Sequence, residues 1–165
     1  MPCSYGKNAR KESTIVYSMR EKMSYVTTNH PKLTLEGAEA VLSAAKEHAA
    51  RIGVPMNIAI VDEGGHLMAF ARMDGAKLSS IDIALNKAVA AAIRKQATGP
   101  ARSGEEVNAM LSLSLAIGSH ARQTPIRGGI PLEANDECVG AIGVSAGTEE
   151  QDVEVARAGV AALGK

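Results

Sequence analysis

Residues 56–72, with the sequence MNIAIVDEGGHLMAFAR, predict two neighbouring β-strands joined by a tight turn. The apolar run from Met56 to Val61 is typical of a buried strand, and the segment from His66 to Arg72 has a similar pattern. Between them, residues 62–65 (DEGG) favour a turn, because glycine adopts positive φ without a steric penalty. The stretch therefore predicts an antiparallel hairpin.

A second hairpin is predicted from residues 125–132 and 137–144, which flank a turn at Asn135-Asp136. Because the strands come as hairpins and not singly between helices, an antiparallel sheet is favoured over a doubly wound parallel one. The predicted fold class is α/β, of the α+β kind.

Helical periodicity and capping signals predict four helices around these hairpins. They are a helix from Thr34 as N-cap to Ile52, one capped by Ser79 or Ser80 and ended by Thr98-Gly99-Pro100, one opened by a Ser103–Glu106 capping box and closed by Gly118, and one opened by a Thr148–Gln151 capping box and reaching Leu163.

The composition fits one domain and argues against several classes of partner. A single core can cover 165 residues, so residues 32–165 form the predicted domain. Residues 1–31 have no periodic pattern and are predicted to form a flexible N-terminal tail or arm.

Eighteen Lys and Arg balance eighteen Asp and Glu, so no net field attracts nucleic acid or an anionic membrane. No apolar run could span a bilayer, and the first 22 residues lack the apolar core of a signal sequence. We predict a cytoplasmic protein that binds neither nucleic acids nor membranes.

Residues 127–131, with the sequence RGGIP, are the first candidate for a binding site. The Arg127 guanidinium stands beside Gly128 and Gly129, which let backbone N–H groups approach a ligand, and Pro131 closes the segment. This combination suits a carboxylate or another small anion.

Three further charged residues are candidates for ligand binding. Arg72 and Asp74 leave the first hairpin together and could flank a cleft, or form a surface ion pair worth under about 1 kcal/mol. Lys87 lies on an alanine-rich helix face, from which it could bind an acid or act as a base. The alternative for Lys87 is a stem on apolar surface with its amine in water.

Two of the four histidines are candidates for metal binding or proton transfer. His66 follows the first turn, and His120 lies in the loop before Arg127, so either could be a metal ligand or a proton carrier. The alternative is a solvated loop histidine. No two histidines have the i, i+4 spacing of a helical metal pair, which makes a zinc or iron site weakly supported by spacing.

From Leu33 onward the chain resembles the GlcG/HbpS-like family, whose domain is often labelled haem-degrading. The resemblance rests on three segments, LTLEGAEAVLSAAKEHAARIGVPMNIAIVDEGGHLMAFARMDGAKLSSIDIALNKA (33–88), RGGIPLE (127–133) and GAIGVSAGTEEQDVEVARAG (140–159). It implies a profilin-like fold with a central antiparallel sheet, helices on both faces, and assembly into symmetric homo-oligomers. It also implies links to haem and corrinoids, with haem binding in some members.

Two functions follow as hypotheses. In the first, the protein binds haem or a related planar acid in a pocket where Arg72, Lys87 and Arg127 face its carboxylates, with His66 or His120 as the possible metal ligand. In the second, it is a cofactor-independent isomerase, hydratase or lyase acting on a small oxygenated acid, with Lys87 or His120 moving a proton. A structural or regulatory oligomer without a small ligand is the third possibility.

Overall fold

The computed structural model describes residues 30–164, which hold a central antiparallel sheet and four α-helices. The helices are α1 (Leu35–Arg51), α2 (Ile81–Arg94), α3 (Ala109–Gly118) and α4 (Glu149–Val160), and a 3₁₀ turn (Leu78–Ser80) precedes α2. The strands are β1 (Asn57–Asp62), β2 (Leu67–Arg72), β3 (Arg102–Ser103), β4 (Glu106–Val107), β5 (Gly129–Ala134) and β6 (Glu137–Ser145). The predicted tail, apart from its last two residues, lies outside the described range.

The four long strands are ordered β2-β1-β6-β5, and each neighbouring pair is antiparallel. Strands β2 and β5 are therefore the two edges of the sheet. In the β1–β6 pairing, Ala59 stands opposite Gly143, which in turn stands opposite Gly129 of β5. The predicted antiparallel sheet built from two hairpins is confirmed.

Helices cover both faces of the sheet, and the two faces differ in side-chain size. Helices α1 and α4 pack on the face that carries Ile58, Ile60 and Ile142. Helix α2 packs on the other face, against small residues such as Ala59 and Ala141. Consecutive residues of a strand point to opposite faces, so this alternation within β1 and β6 fixes which helix meets which face.

The predicted capping residues of the first and last helices are confirmed. The Thr34 hydroxyl accepts a hydrogen bond from the Gly37 amide (3.1 Å) at the start of α1. Thr148 and Gln151 form the predicted capping box of α4. In the β5–β6 turn, Asn135 and Asp136 have φ of 52° and 62°, the conformation that a tight hairpin turn requires.

The predicted capping box of the third helix is wrong. Ser103 and Glu106 pair across the short β3–β4 hairpin, where Gly104 has φ of 64° and turns the chain. Helix α3 begins later, and Asn108 is its cap, since its side-chain oxygen accepts from the Leu111 amide (2.8 Å). A turn glycine between two capping-box residues favoured the hairpin over a helical start.

Three other boundaries differ from the prediction by three residues or more. Helix α2 ends at Arg94, because Lys95 adopts the left-handed conformation (φ 52°) several residues before Thr98. Ser80 stands at its N-cap position without a side-chain capping bond. Strand β5 begins at Gly129 and not at residue 125, and α4 ends at Val160. Within the described range, every helix is too short or too polar to cross a lipid bilayer.

Candidate functional site

A cleft of about 540 Å³ lies between edge strand β5, helix α4 and the segment after α2. This volume is within the range of small-molecule binding sites, about 300–1,000 Å³. Its lining residues are Ala97, Thr98, Arg127, Gly129, Ile130, Val153, Arg157, Val160 and Ala161. Aliphatic side chains make up most of this lining, and among the residues that the structure describes, the two arginines are its ionisable groups.

Helix α4 supplies one wall of the cleft. Val153, Arg157 and Val160 are spaced by four and three residues, so they lie on one face of the helix. Sequence reasoning missed Arg157. Arg157 could have been noticed as the one cation in the helical stripe that also holds Val153 and Val160. The sequence does not show which part of the fold this stripe packs against.

Strand β5 and its approach supply the opposite wall. The Gly129 amide donates to the Thr98 hydroxyl (2.9 Å), and the Thr98 amide donates to the Gly129 carbonyl (2.9 Å). The Gly129 amide is thus occupied by Thr98, and ligand contacts by Gly128 and Gly129 stay predictions. Gly128 has φ of 116°, and a β-carbon there would lie 2.8 Å from the Val144 carbonyl oxygen. Both glycines therefore permit close packing beneath the cleft.

An acidic hollow of about 360 Å³ adjoins the cleft. The two share Arg127, Val153 and Arg157, and the hollow adds Glu149, Glu150 and Glu154. The pair Arg127 Nε and Glu149 Oε2 is loose, at 3.9 Å. The arginines therefore stand at the boundary between an apolar section and an acidic section.

Lys87 lies buried behind Gly128, and its amine is engaged. Its Nζ donates to Asp152 Oδ2 (2.7 Å) and to the Val144 carbonyl (2.8 Å), and the Lys87 and Asp152 side chains are only 1% and 4% exposed. Burial raises the pKa of Asp152, although Lys87 and the Gly147 amide oppose that rise. The expectation of an amine in water is wrong. Lys87 does not line the cleft. A role for it in ligand binding or catalysis stays a prediction.

Arg72 and Asp74 are not brought to the cleft within one protomer. Arg72 ends β2, the edge strand opposite β5, and three strand spacings separate the two edges, roughly 14 Å. Asp74 follows it. Pro131 lies on β5, opposite Ala141, and does not line the cleft. Ligand contacts by these three residues stay predictions.

His66 and His120 also lie outside the lining of the cleft. The His66 side chain is 81% exposed in the β1–β2 turn, with Nδ1 3.2 Å from the Asp62 carboxylate. Burial raises the pKa of Asp62, but hydrogen bonds from His66 and Gly64 outweigh it and hold that pKa below its ordinary value. His120 follows α3 with φ of 51°. No cluster of three metal-ligating side chains occurs in the described part of the chain, and the metal and catalytic roles of both histidines stay predictions.

A different histidine, His48 of α1, contacts the wall of the acidic hollow. Its Nε2 lies 2.6 Å from Glu154 Oε1, and its Nδ1 lies 2.9 Å from an Arg51 guanidinium nitrogen. Since the arginine can only donate, Nδ1 accepts and Nε2–H donates to the glutamate. Sequence reasoning missed this contact because His48 and Glu154 are 106 residues apart.

Comparison with known proteins places the chain in a family. The model of the family described as haem degrading protein HbpS-like matches residues 33–161. The chain belongs to this HbpS-like family. It is 37% identical over 120 residues to an uncharacterized 15.0 kDa protein in the dhaT-dhaS intergenic region of Citrobacter freundii, which covers 73% of this chain and 84% of that protein.

Solved structures of similar sequence have the same fold. The Klebsiella pneumoniae protein ORFY superposes with a TM-score of 0.75 at 31% identity, covering 86% of this chain and 98% of ORFY. A PduOC:heme complex gives a TM-score of 0.71 at 28% identity, covering 80% of this chain and 95% of PduOC. The family resemblance drawn from the sequence, and the fold it implied, are confirmed.

Proposed function

We propose that this HbpS-like protein binds a small amphipathic carboxylic acid in the cleft between β5 and α4, with haem or a related tetrapyrrole as the candidate ligand. The observation that carries the proposal is the pair of arginines, Arg127 and Arg157, at the edge of a cleft that aliphatic side chains otherwise line for the most part. Guanidinium groups bind carboxylates through paired, charge-assisted hydrogen bonds. The haem complex of PduOC, a structural neighbour, supports the choice of ligand class.

The cleft fits the organic part of a haem better than its iron. The propionates would lie against Arg127 and Arg157, and the apolar macrocycle against aliphatic side chains such as Val153 and Val160. None of the lining residues in the described range is a histidine, cysteine, methionine or tyrosine, the usual protein ligands of haem iron. We therefore assign these residues to binding and orienting the acid.

Arg127→Gln and Arg157→Gln are each expected to weaken haemin binding about tenfold or more, because each removes a charge-assisted hydrogen bond to a carboxylate. Absorbance titration of the full chain measures the dissociation constant. The matched control is Arg102→Gln, since Arg102 is exposed on β3 and does not line the cleft. Equal affinity in all four proteins would reject the cleft as the binding site.

We further propose that copies of the chain associate through α3. Met110, Leu113 and Ile117 share one face of this helix and are 73%, 55% and 68% exposed. Contiguous exposed apolar side chains of this kind mark interaction surfaces, and the resemblance implies homo-oligomers. We also propose that the assembled protein lies in the cytoplasm, as the sequence predicts.

Ile117→Glu is expected to lower the oligomer mass measured by light scattering, because a carboxylate would be buried in the contact without a partner. Ala40→Glu, on the exposed surface of α1, is the control and should leave the mass unchanged. A wild-type mass equal to the 17.1 kDa of one chain would contradict the proposal.

A further inference from the structure

The lining of the cleft combines two arginines with mostly aliphatic side chains. We infer that the cleft recognises its ligand by its carboxylates and apolar body, without a coordinate bond from the protein to a metal, so that metal-free tetrapyrrole acids bind as well as haemin. The inference rests on the proposed function, because it concerns the same cleft. Its ligand class is the amphipathic dicarboxylate, with or without a central metal.

The side chains that line the cleft offer hydrogen-bond donors and aliphatic carbon to a ligand. Arg127 and Arg157 carry donor N–H groups and no lone pair for a metal, and the remaining lining side chains are aliphatic except for Thr98. The Thr98 hydroxyl already accepts from the Gly129 amide at 2.9 Å. A neutral hydroxyl held in this way is a poor ligand for iron compared with imidazole or thiolate.

The ring nitrogens of His48, which lies beside the acidic hollow, are already engaged in hydrogen bonds. His48 touches Glu154 of the acidic hollow, but both ring nitrogens are engaged, Nε2 with Glu154 and Nδ1 with Arg51. Coordination requires a free nitrogen lone pair, and here the one lone pair of the neutral ring accepts from the arginine. Binding iron through His48 would therefore require breaking one of these contacts.

The two histidines that the sequence favoured, His66 and His120, do not line the cleft. His66 lies in the turn after β1, where Asp62 pairs with Gly140, whereas Gly129 of the cleft is level with Gly143. His66 is thus displaced from the cleft both along and across the sheet. His120 does not line the cleft either. Within one protomer, the arginines and the apolar walls are the groups placed to contact a ligand.

The experiment compares three probes on the full-length chain: haemin, protoporphyrin IX and protoporphyrin IX dimethyl ester. Haemin and protoporphyrin IX share the two propionates and differ in iron, and the ester keeps the macrocycle but loses both negative charges. We expect dissociation constants for the first two within about threefold, and binding of the ester weakened about tenfold or more. The ratio of the haemin and protoporphyrin constants should stay the same in His48→Ala, His66→Ala and His120→Ala.

The outcomes separate this inference from the proposed function. Haemin binding about thirtyfold or more tighter than protoporphyrin IX would overturn the inference and leave haem binding standing. Loss of that preference in one histidine variant would also name the iron ligand. Equal binding of the ester and the free acid would overturn recognition through carboxylates. If neither haemin nor protoporphyrin IX binds, the proposed function fails, and the inference fails with it.

Discussion

Replacing Lys87 with methionine is expected to lower the free energy of unfolding by about 3–5 kcal/mol, because it leaves the Asp152 carboxylate buried without its counter-charge. Methionine fills a similar volume, so a cavity contributes little to the loss. Asp152 would keep the Gly147 amide as its hydrogen-bond donor (3.1 Å) but lose the Lys87 ammonium. Urea denaturation followed by circular dichroism at pH 7 measures the change.

The free energy of unfolding that Lys87→Met loses should grow as the pH rises. Burial already raises the pKa of Asp152, and removing Lys87 removes an interaction that lowers it, so the pKa rises further. A carboxyl group with a raised pKa in the folded state is tolerated when protonated. The variant should therefore be closest to wild type below the ordinary carboxyl pKa, about 4, and lose stability as pH rises until the raised pKa is passed.

Two comparisons test whether the ion pair is the cause. Lys32→Met breaks the 2.6 Å pair of Lys32 and Glu63, a pair whose side chains are 73% and 38% exposed, and should leave the free energy of unfolding almost unchanged. The double variant Lys87→Met/Asp152→Leu removes both buried charges and should recover most of the stability lost by Lys87→Met alone. A single variant as stable as wild type, or a double variant no more stable than Lys87→Met, would show that the unpaired Asp152 carboxylate is not the cause of the loss.

Much of the fold could be predicted because its signals are local in sequence. The turn at residues 62–65, the turn at Asn135-Asp136 and the capping box at Thr148 each depend on residues within four positions of one another. The pairing of strands then follows from the hairpins. The start of α3 failed because two local signals overlapped there: the capping-box spacing of Ser103 and Glu106, and the turn glycine at Gly104.

The site could be predicted only in part, because its partners are far apart in sequence. Arg127 was recognised from its own neighbours, whereas Arg157 acquires its position only when α4 packs beside β5. Lys87 was recognised as unusual in an alanine-rich helix, but its partner Asp152 is 65 residues away. Composition and spacing identify such a residue as special, and tertiary packing determines whether it faces a ligand or another side chain.

Replacing Gly143 with alanine is expected to lower the free energy of unfolding by about 3 kcal/mol, because the added methyl group has no space between β6 and α2. A β-carbon at this position would collide with the Ala84 carbonyl oxygen and the Ala88 amide nitrogen, and would lie 3.0 Å from the Ala88 Cα. These are backbone atoms of α2, so the whole helix would have to move away from the sheet. Denaturation followed by circular dichroism measures the loss.

Gly118→Ala is the matched control for this substitution. Gly118 ends α3, and a β-carbon added to it would meet no other atom within 4 Å, so alanine there should leave stability unchanged or raise it by up to about 1 kcal/mol. If Gly143→Ala costs no more than Gly118→Ala, α2 does not lie against β6 as closely as described. Lys87 is three residues from Ala84 on the same helix, so a displaced α2 also weakens the Lys87–Asp152 pair. When Gly143→Ala and Lys87→Met are combined, the loss in free energy of unfolding should therefore be smaller than the sum of the two single losses.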